Sequence, residues 1–523
     1  MLKNLTFSPF PQKLVLTLLL GIILFISIFR LGSVSLFDVD EAVFAQATKE
    51  MIQSGNWITP TYNGEPRYDK PILFYWLMAL SFKLFGINEF AARFPSALSG
   101  FILCVILYFF IKNLKDDKQA FYTVLSFAFS LYYFIYTHAA VTDMALSLFI
   151  SISLICFYLS EEKSKKFIYG FYIFSAFAFL TKGLIGIVFP FGIASFYLCI
   201  KKGFKGLKEL YNFKAILLFL LISMPWYVIQ VLINGKEFVE QFFIKHHFMR
   251  YTGVISGHKG PIYFFIPILI IGMFPWISFI AKSFVNLKKD TLVQFSLIWA
   301  SFIFLFFSFS TTKLPNYILP AVPAFSILIS SGMIEINKDF SRIPYIFSAV
   351  ISILIAVFLI VAKAKIISIL PYFNTSWFNI LILITSLFAI TSIYAFLKKD
   401  KVFILLAGLS LSLILSISIK VLPTINEYMQ ETLYKYSIYA KQTLQKNDTL
   451  ITYKINKPSI LFYSDKKILK IDSEKELIEK IKNESTSLKV VVISRNKDVE
   501  FLKSIGLNLL KEDRDYALFI FPG

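Results

Sequence analysis

The chain is poor in the groups on which soluble and secreted proteins depend. It has three cysteines in 523 residues, Cys104, Cys156 and Cys199, each inside an apolar run and none in a CxxC pair. That excludes a disulfide framework and a cysteine metal site. Charged residues make up 16% of the chain and hydrophobic ones 57%, where soluble domains carry roughly 25% and about 45–50%. A soluble enzyme and a disordered chain are therefore excluded. Acidic residues are scarce beside basic ones, 33 against 53, for a formal net charge of +20. Such an excess fits either nucleic acid or the positive-inside rule, and the position of the charges decides. The tail from 421 holds 17 Lys and Arg against 14 Asp and Glu, which leaves 36 against 19 in the apolar part, mostly in short loops. Nucleic acid drops out as a partner.

What the chain has in abundance is apolar runs. A bilayer core needs about 20 mostly apolar helical residues, and runs of that order lie at 13–31, 95–112, 118–137, 142–160, 166–181, 184–201, 213–233, 261–282, 292–310, 316–334, 343–363, 377–397 and 402–420. The expected fold is mainly α, a polytopic membrane protein with about 13 transmembrane helices. The first run lacks a small-residue cleavage site and reads as a retained anchor. The shorter stretch Pro71 to Phe85 reads as a helix in the membrane interface. Loops after even-numbered runs are short and basic, with Lys112, Lys115 and Lys118 in one and Lys201, Lys202, Lys205, Lys208 and Lys214 in another, and are assigned to the cytoplasm. The long loops, about 32–94 and 234–260, then face outward, as does the tail.

Two domains are expected: a transmembrane domain over 1–420, whose first outer loop spans about 32–94, and a small extracytoplasmic α/β domain over 421–523. In the tail, Thr449 to Ile455, Ile460 to Ser464, Leu488 to Ser494 and Tyr516 to Phe521 read as strands, and Ser473 to Glu484 and Asp498 to Ile505 as helices. The tail has no nucleophile elbow, Gly-rich phosphate loop or metal cluster, so it reads as a structural or docking module.

The outward loops hold the chemistry. Asp38, Asp40 and Glu41 stand just beyond the first run, where a carboxylate at the membrane boundary either acts as a general base or metal ligand or is merely solvated. Asp143 heads the fourth run as a helix cap or as a functional acid in apolar surroundings. The fourth outward loop carries Lys245, His246, His247, Arg250, His258 and Lys259, and a fifth turn carries Lys313, Asn316 and Tyr317. Histidines so placed ligate a metal or switch protonation. Carboxylates from two loops and Lys70, Arg250 and Lys313 from three are expected to converge on one outward cavity: Arg and Lys suit a phosphate headgroup, and a carboxylate suits an attacking sugar hydroxyl.

These residues in this order resemble the membrane-embedded GT-C glycosyltransferases that use polyprenyl-phosphate sugar donors, the superfamily of the dolichyl-phosphate-mannose protein mannosyltransferases and the lipid A aminoarabinose transferases. The pieces that carry the resemblance are Asp40-Glu41, Ser54-Gly55-Asn56-Trp57, Asn63-Gly64, Tyr68-Asp69-Lys70-Pro71, Thr142-Asp143, His247 with Arg250, His258 before Pro261, and Lys313-Leu314-Pro315 with Tyr317. The resemblance implies the GT-C fold, Asp40 near the reacting centre with Glu41 beside it, Asp143 as a second cavity acid, and carrier-phosphate binding by Lys70, Arg250 and Lys313. It places His247 and Tyr317 in the same cavity, and Asp69 with His258 where such enzymes can hold a divalent metal. No nucleotide cofactor is required. The partners implied are a polyprenyl-phosphate-linked sugar donor, a lipid, glycan or protein acceptor, and membrane lipids; the location implied is the bacterial cytoplasmic (inner) membrane with a periplasmic active site. Val43-Phe44 stands where the aminoarabinose enzymes tend to carry Arg-Tyr, and Asp69-Lys70-Pro71-Ile72 where they carry Glu-Lys-Pro-Pro. The alternative, a transporter or flippase of lipid-linked sugars, calls for inverted repeats and midplane polar groups, whereas here the polar groups gather in outer loops.

Overall fold

The structure is a computed structural model and describes residues 12–242, 260–371, 373–483 and 489–521. Two compact units divide the chain. Met1–Leu31, Tyr68–Phe74 and Arg93–Val421 form the first, and Gly32–Arg67, Tyr75–Ala92 and Leu422–Gly523 the second.

In chain order the first helices are α1 (Gln12–Ile28), α2 (Asp40–Ser54), α3 (Leu73–Phe85), α4 (Glu89–Leu114), α5 (Asp117–Ala128), α6 (Leu131–Thr137), α7 (Asp143–Glu162), α8 (Ile168–Lys182), α9 (Ile185–Lys202) and α10 (Phe213–Phe238). Described helices of the first unit continue through Phe265–Gly272, Thr291–Phe309, Val322–Lys338, Ile343–Ile369, Ser376–Lys398 and Phe403–Ser416. Each of the expected apolar runs coincides with a described helix or bent pair. Among the described residues nine helices are long and apolar enough to cross a bilayer, or eleven if two bent pairs each count as one span. The remaining two expected runs are α1 and α8, helices of 17 and 15 residues. The stretch expected in the interface is α3, whose 13 residues are too few to cross.

The breaks have local causes. Between α5 and α6 the axis turns by 61°, where the Ser130 hydroxyl accepts from the Tyr133 amide (3.2 Å) and starts a new helix. Between Phe265–Gly272 and Trp276–Asn286 it turns by 104° at Pro275, which has no N–H to continue the ladder. Packing between helices uses small residues and hydroxyls, as expected where lipid offers no hydrophobic drive. A Cβ on Gly186 would lie 2.3 Å from the Ala178 carbonyl carbon, so α8 and α9 meet backbone to backbone. Ser153 and Ser175 join α7 to α8 through their hydroxyls at 2.8 Å. At the far end of α7 from Asp143, Lys165 bridges Glu161 and Glu209, and Lys202 bridges the same two carboxylates at 2.6 Å each. The outer face of Ile343–Ile369 exposes Val350, Leu354, Val357, Phe358 and Val361, as a lipid-facing helix does.

In the second unit, β1 (Thr61–Tyr62) and β2 (Glu65–Pro66) form a hairpin. A five-stranded sheet is built from β3 (Thr449–Tyr453), β4 (Ile468–Ile471), β5 (Val490–Arg495), β6 (Asn508–Asp513) and β7 (Tyr516–Phe521), in the order β4-β3-β5-β7-β6. The first three strands are parallel and the β5, β7 and β6 pairs antiparallel. Both faces are covered. Val490 and Val492 pack with Leu477 and Leu502 on one side, and Val491 and Ile493 with Leu433, Ala440 and Ile460 on the other. That is why β5 reads as an unbroken apolar run.

One expectation in the tail is corrected and two further strands are found. Ile460 to Ser464, read as a strand, belongs to the helix Pro458–Ser464. A five-residue apolar run has no period to tell strand from buried helix, and Pro458 at the first helical position starts the helix. Strands β4 and β6 were not anticipated. Their sequences, ILKI and NLLKED, are short and charged, and pairing with a neighbour rather than propensity makes them strands.

Candidate active site

In the second unit the segment before α2 is fastened residue by residue. The Leu36 amide donates to the Tyr463 hydroxyl (2.8 Å), which donates to Glu89 (2.9 Å). Asn426 donates to the Ser35 hydroxyl (2.8 Å) and carbonyl (3.2 Å). Asp38 accepts from the Ser459 amide (2.8 Å) on one oxygen and from the Ser459 hydroxyl (2.7 Å) on the other. With its amide nitrogen turned to that carboxylate, Gln430 donates to Asp38 Oδ2 (3.0 Å) and accepts from the Asp38 amide (3.1 Å). Burial raises the Asp38 carboxyl above the usual range, opposed by the bonds from Ser459 and by the charge of Lys457. Glu41, buried, accepts from the Phe37 amide (2.9 Å). Between these two committed acids, Asp40 is exposed, with no hydrogen-bond or ion-pair partner among the described residues.

The motifs that carry the resemblance in this loop shape the backbone. Gly55, at φ +71°, ends α2, its amide bonded to the Met51 carbonyl. Asn56 caps the next turn by accepting from the amides of Ile58 (3.1 Å) and Thr59 (3.0 Å). Asn63 and Gly64, at φ +56° and +83°, are the two turn residues of the β1-β2 hairpin, which demands positive φ at both. The Glu50 carboxylate gathers this turn, accepting from Thr61, from the amides of Asn63 and Gly64, and from Gln46. The Asn63 amide pairs with Ile468 at the edge of β4 (2.8 and 3.0 Å). Val43 and Phe44 are buried; Phe44 packs on Tyr75 (5.3 Å), and Arg67 lies over its ring (5.8 Å).

In the first unit the central group is Asp143. Its carboxylate is not spent on helix capping. Oδ1 accepts from Lys182 Nζ (2.6 Å) and Asn316 Nδ2 (2.9 Å). The Asp143 side chain is 4% exposed and that of Lys182 12%. Lys182 also lies over the ring of Tyr317 at 5.7 Å. Three elements meet here: the start of α7, the last residue of α8 and the 3-10 turn Pro315–Ala321. Isolating an ion pair from water is costly, so a buried pair at a helix end is a functional candidate. Reasoning from sequence missed Lys182. The available signal was a lone cation closing an apolar helix, where ionisable groups are seldom idle.

Lys313 is buried and donates to the carbonyls of Phe307, Ser308 and Ser310, the C-terminus of the helix Thr291–Phe309. Burial lowers its ammonium below the usual lysine value. In this arrangement its donors close a helix, as cations near a C-terminus do. Lys70 sits beside Asp69, its ammonium 3.1 Å from the Asp69 carbonyl and 3.7 Å from the carboxylate. Tyr68 packs edge-on against Phe238 at 5.7 Å. His247, Arg250 and His258 lie outside the described residues. Among the described residues no group of three or more His, Cys, Asp or Glu side chains is placed to hold a metal.

The chain was compared with known proteins. Residues 69–229 match the family described as dolichyl-phosphate-mannose-protein mannosyltransferase. Two uncharacterized proteins of Aquifex aeolicus are 33% identical over 321 and 312 residues, which cover 61% and 60% of this chain and 63% and 71% of theirs. An undecaprenyl phosphate-alpha-4-amino-4-deoxy-L-arabinose arabinosyl transferase of Yersinia enterocolitica is 30% identical over 309 residues, 57% of this chain and 55% of that protein. The chain thus spans under two thirds of the length of most of the curated relatives it matches. The crystal structure of ArnT from Cupriavidus metallidurans bound to undecaprenyl phosphate superposes with a TM-score of 0.82 at 20% identity, covering 97% of this chain and 98% of ArnT. The two share one fold. With the helices, the tail sheet and this superposition together, the chain has the GT-C fold, and its residues 69–229 are similar to the dolichyl-phosphate-mannose-protein mannosyltransferase family.

Proposed function

We propose that the protein transfers a sugar from a polyprenyl phosphate, of the undecaprenyl type named for its relatives, to an acceptor outside the cytoplasm. The observation that carries this reading is Asp40: an exposed carboxylate at the head of a helix, flanked by two acids whose oxygens are already committed. The acceptor oxygen attacks the anomeric carbon, a new C–O bond forms as the bond to the phosphate oxygen breaks, and the configuration inverts. Polyprenyl phosphate leaves with the electron pair. Where the acceptor is a hydroxyl, Asp40 takes its proton.

Lys70 and Arg250 bind the carrier phosphate in this reading and stabilise the charge that grows as it departs. Glu41 holds the Asp40 loop, Asp143 with Lys182 and Tyr317 is the second acidic element, and His247 is assigned with Arg250 to recognition of the phosphate. Lys313 stays outside the phosphate ligands in this reading and fixes the turn leading to Asn316 and Tyr317. Asp69 with His258 is the proposed place for a divalent metal, which would offset phosphate charge. The described residues supply no closed ligand set, so no step is routed through it. The proposed location is the bacterial inner membrane, with the reaction on its periplasmic side, consistent with basic loops opposite. Lipid, glycan and protein are all proposed acceptor classes.

The test incubates purified protein with a panel of radiolabelled polyprenyl-phosphate sugars and crude envelope acceptors. Transfer that is lost in Asp40→Asn and kept in Glu431→Gln, whose carboxylate pairs with Lys435 on the tail surface, supports the reading. No transfer with any donor, accompanied by lipid scrambling, overturns it in favour of a transporter.

A further inference from the structure

We infer that the C-terminal tail is the positioning element for Asp40 and that Asp38, gripped by Ser459 and Gln430, is the residue through which it acts. The inference rests on the proposed role of Asp40. All of the residues involved belong to one compact unit.

The tail holds the loop at four successive points. Asn426 takes Ser35, Tyr463 takes the Leu36 amide, Gln430 takes the Asp38 amide, and Ser459 takes both carboxylate oxygens of Asp38. The same short helix that carries Ser459 and Tyr463 reaches α2 again further on, where Lys49 donates to the Phe462 carbonyl (3.1 Å) and pairs with Asp465 (2.6 Å). Glu41 closes the loop on itself through the Phe37 amide. Asp40 therefore projects from a backbone pinned two residues before it and one residue after it. Asp38 cannot serve as the base, because its oxygens are occupied and it is turned to the tail. Ordinary packing accounts poorly for this design, since burying a carboxylate is costly. A carboxylate does, however, fix direction as well as distance, because each oxygen takes a different donor.

A catalytic group displaced by about 1 Å loses on the order of 10²-fold in rate. Asp38→Ala and Ser459→Ala should lower kcat at least about tenfold, with KM for the polyprenyl-phosphate donor within about twofold, because the proposed phosphate ligands Lys70 and Arg250 are not part of the grip. Ser459→Thr keeps both donors and should restore kcat. Leu502→Ala, at a fully buried position in the tail core, is the stability control. It should lower the unfolding temperature more than Ser459→Ala while leaving kcat at wild type. A second readout needs no substrate: hydrogen exchange at the amides of Leu36, Phe37 and Asp38 should speed up at least about tenfold in Ser459→Ala and not in Leu502→Ala. Wild-type kcat and exchange in Asp38→Ala and Ser459→Ala, with Asp40→Asn inactive, overturns the inference and leaves the proposed function standing. An equal loss of kcat in Leu502→Ala also overturns it, by reducing the tail to a stabiliser. Full transfer by Asp40→Asn overturns the role of Asp40 and the inference together.

Discussion

Replacing Lys182 by methionine removes the ammonium 2.6 Å from Asp143 and leaves a carboxylate whose side chain is 4% exposed. Breaking a buried pair from one side costs about 3–5 kcal/mol, because the surviving charge is uncompensated. Here Asn316 still donates to the same oxygen at 2.9 Å, and a hydrogen bond to a charged group returns roughly 1.5–3 kcal/mol. The expected loss for Lys182→Met is therefore near the lower bound, about 3 kcal/mol. Asp143→Asn should cost less, since Lys182 keeps 12% exposure and the face of Tyr317. The double variant Asp143→Asn/Lys182→Met buries no charge and should recover to within about 1.5 kcal/mol of wild type. Denaturant unfolding in mild detergent, followed by tryptophan fluorescence, measures all four corners of the cycle. Sugar transfer should stay at least about 10²-fold down in the double variant despite its recovered stability, as for other charged groups arranged around a transferred group. The reasoning is refuted if Lys182→Met lies within about 1 kcal/mol of wild type, or if the double variant is as unstable as the single one.

Three further outcomes are expected. Lys313→Met removes three bonds to the carbonyls that end the helix Thr291–Phe309 and should cost about 2 kcal/mol of stability. Its KM for the donor should change less than about twofold, whereas Lys70→Met should raise KM by about tenfold; equal KM effects would show that Lys313 works on the phosphate. Glu50→Ala strips the acceptor from the Asn63 and Gly64 amides and from Thr61, so exchange at 61–65 should rise by about 10²-fold while α7 and α8 stay protected; unchanged exchange in the hairpin would show that the turn needs no acceptor. Gly186→Ala puts a methyl 2.3 Å from the Ala178 backbone, and the overlap should cost more than about 3 kcal/mol or abolish accumulation of the protein; wild-type yield and unfolding midpoint would disprove a backbone contact between α8 and α9.

Much of the membrane part was legible because hydropathy is a one-dimensional property. Every expected apolar run coincides with a described helix or bent pair, and where the sequence and the nine to eleven qualifying spans differ, the cause is length, as in α1 and α8. The acids were legible for the same reason: a carboxylate beside an apolar run stands out wherever it lies. Their circumstances were not. Asp38, Asp40 and Glu41 look alike in the sequence, yet two are committed to hydrogen bonds and one is exposed. Asn63-Gly64 matched a family pattern but serves as a turn held by Glu50.

By itself the sequence determined that this chain spans a membrane many times and that a compact α/β tail follows. Periodicity, run length and charge placement act within a few residues of each other, and those relations survive in one dimension. Only the tertiary structure decided that Asp143 meets a lysine 39 residues further on and an asparagine 173 further on. It also decided that Lys313 ends a helix, that the run 460–464 is helical, and that Asp38 is held from 421 residues away. A side chain's partner is set by which elements fold against it, and no local pattern records a contact made across hundreds of residues.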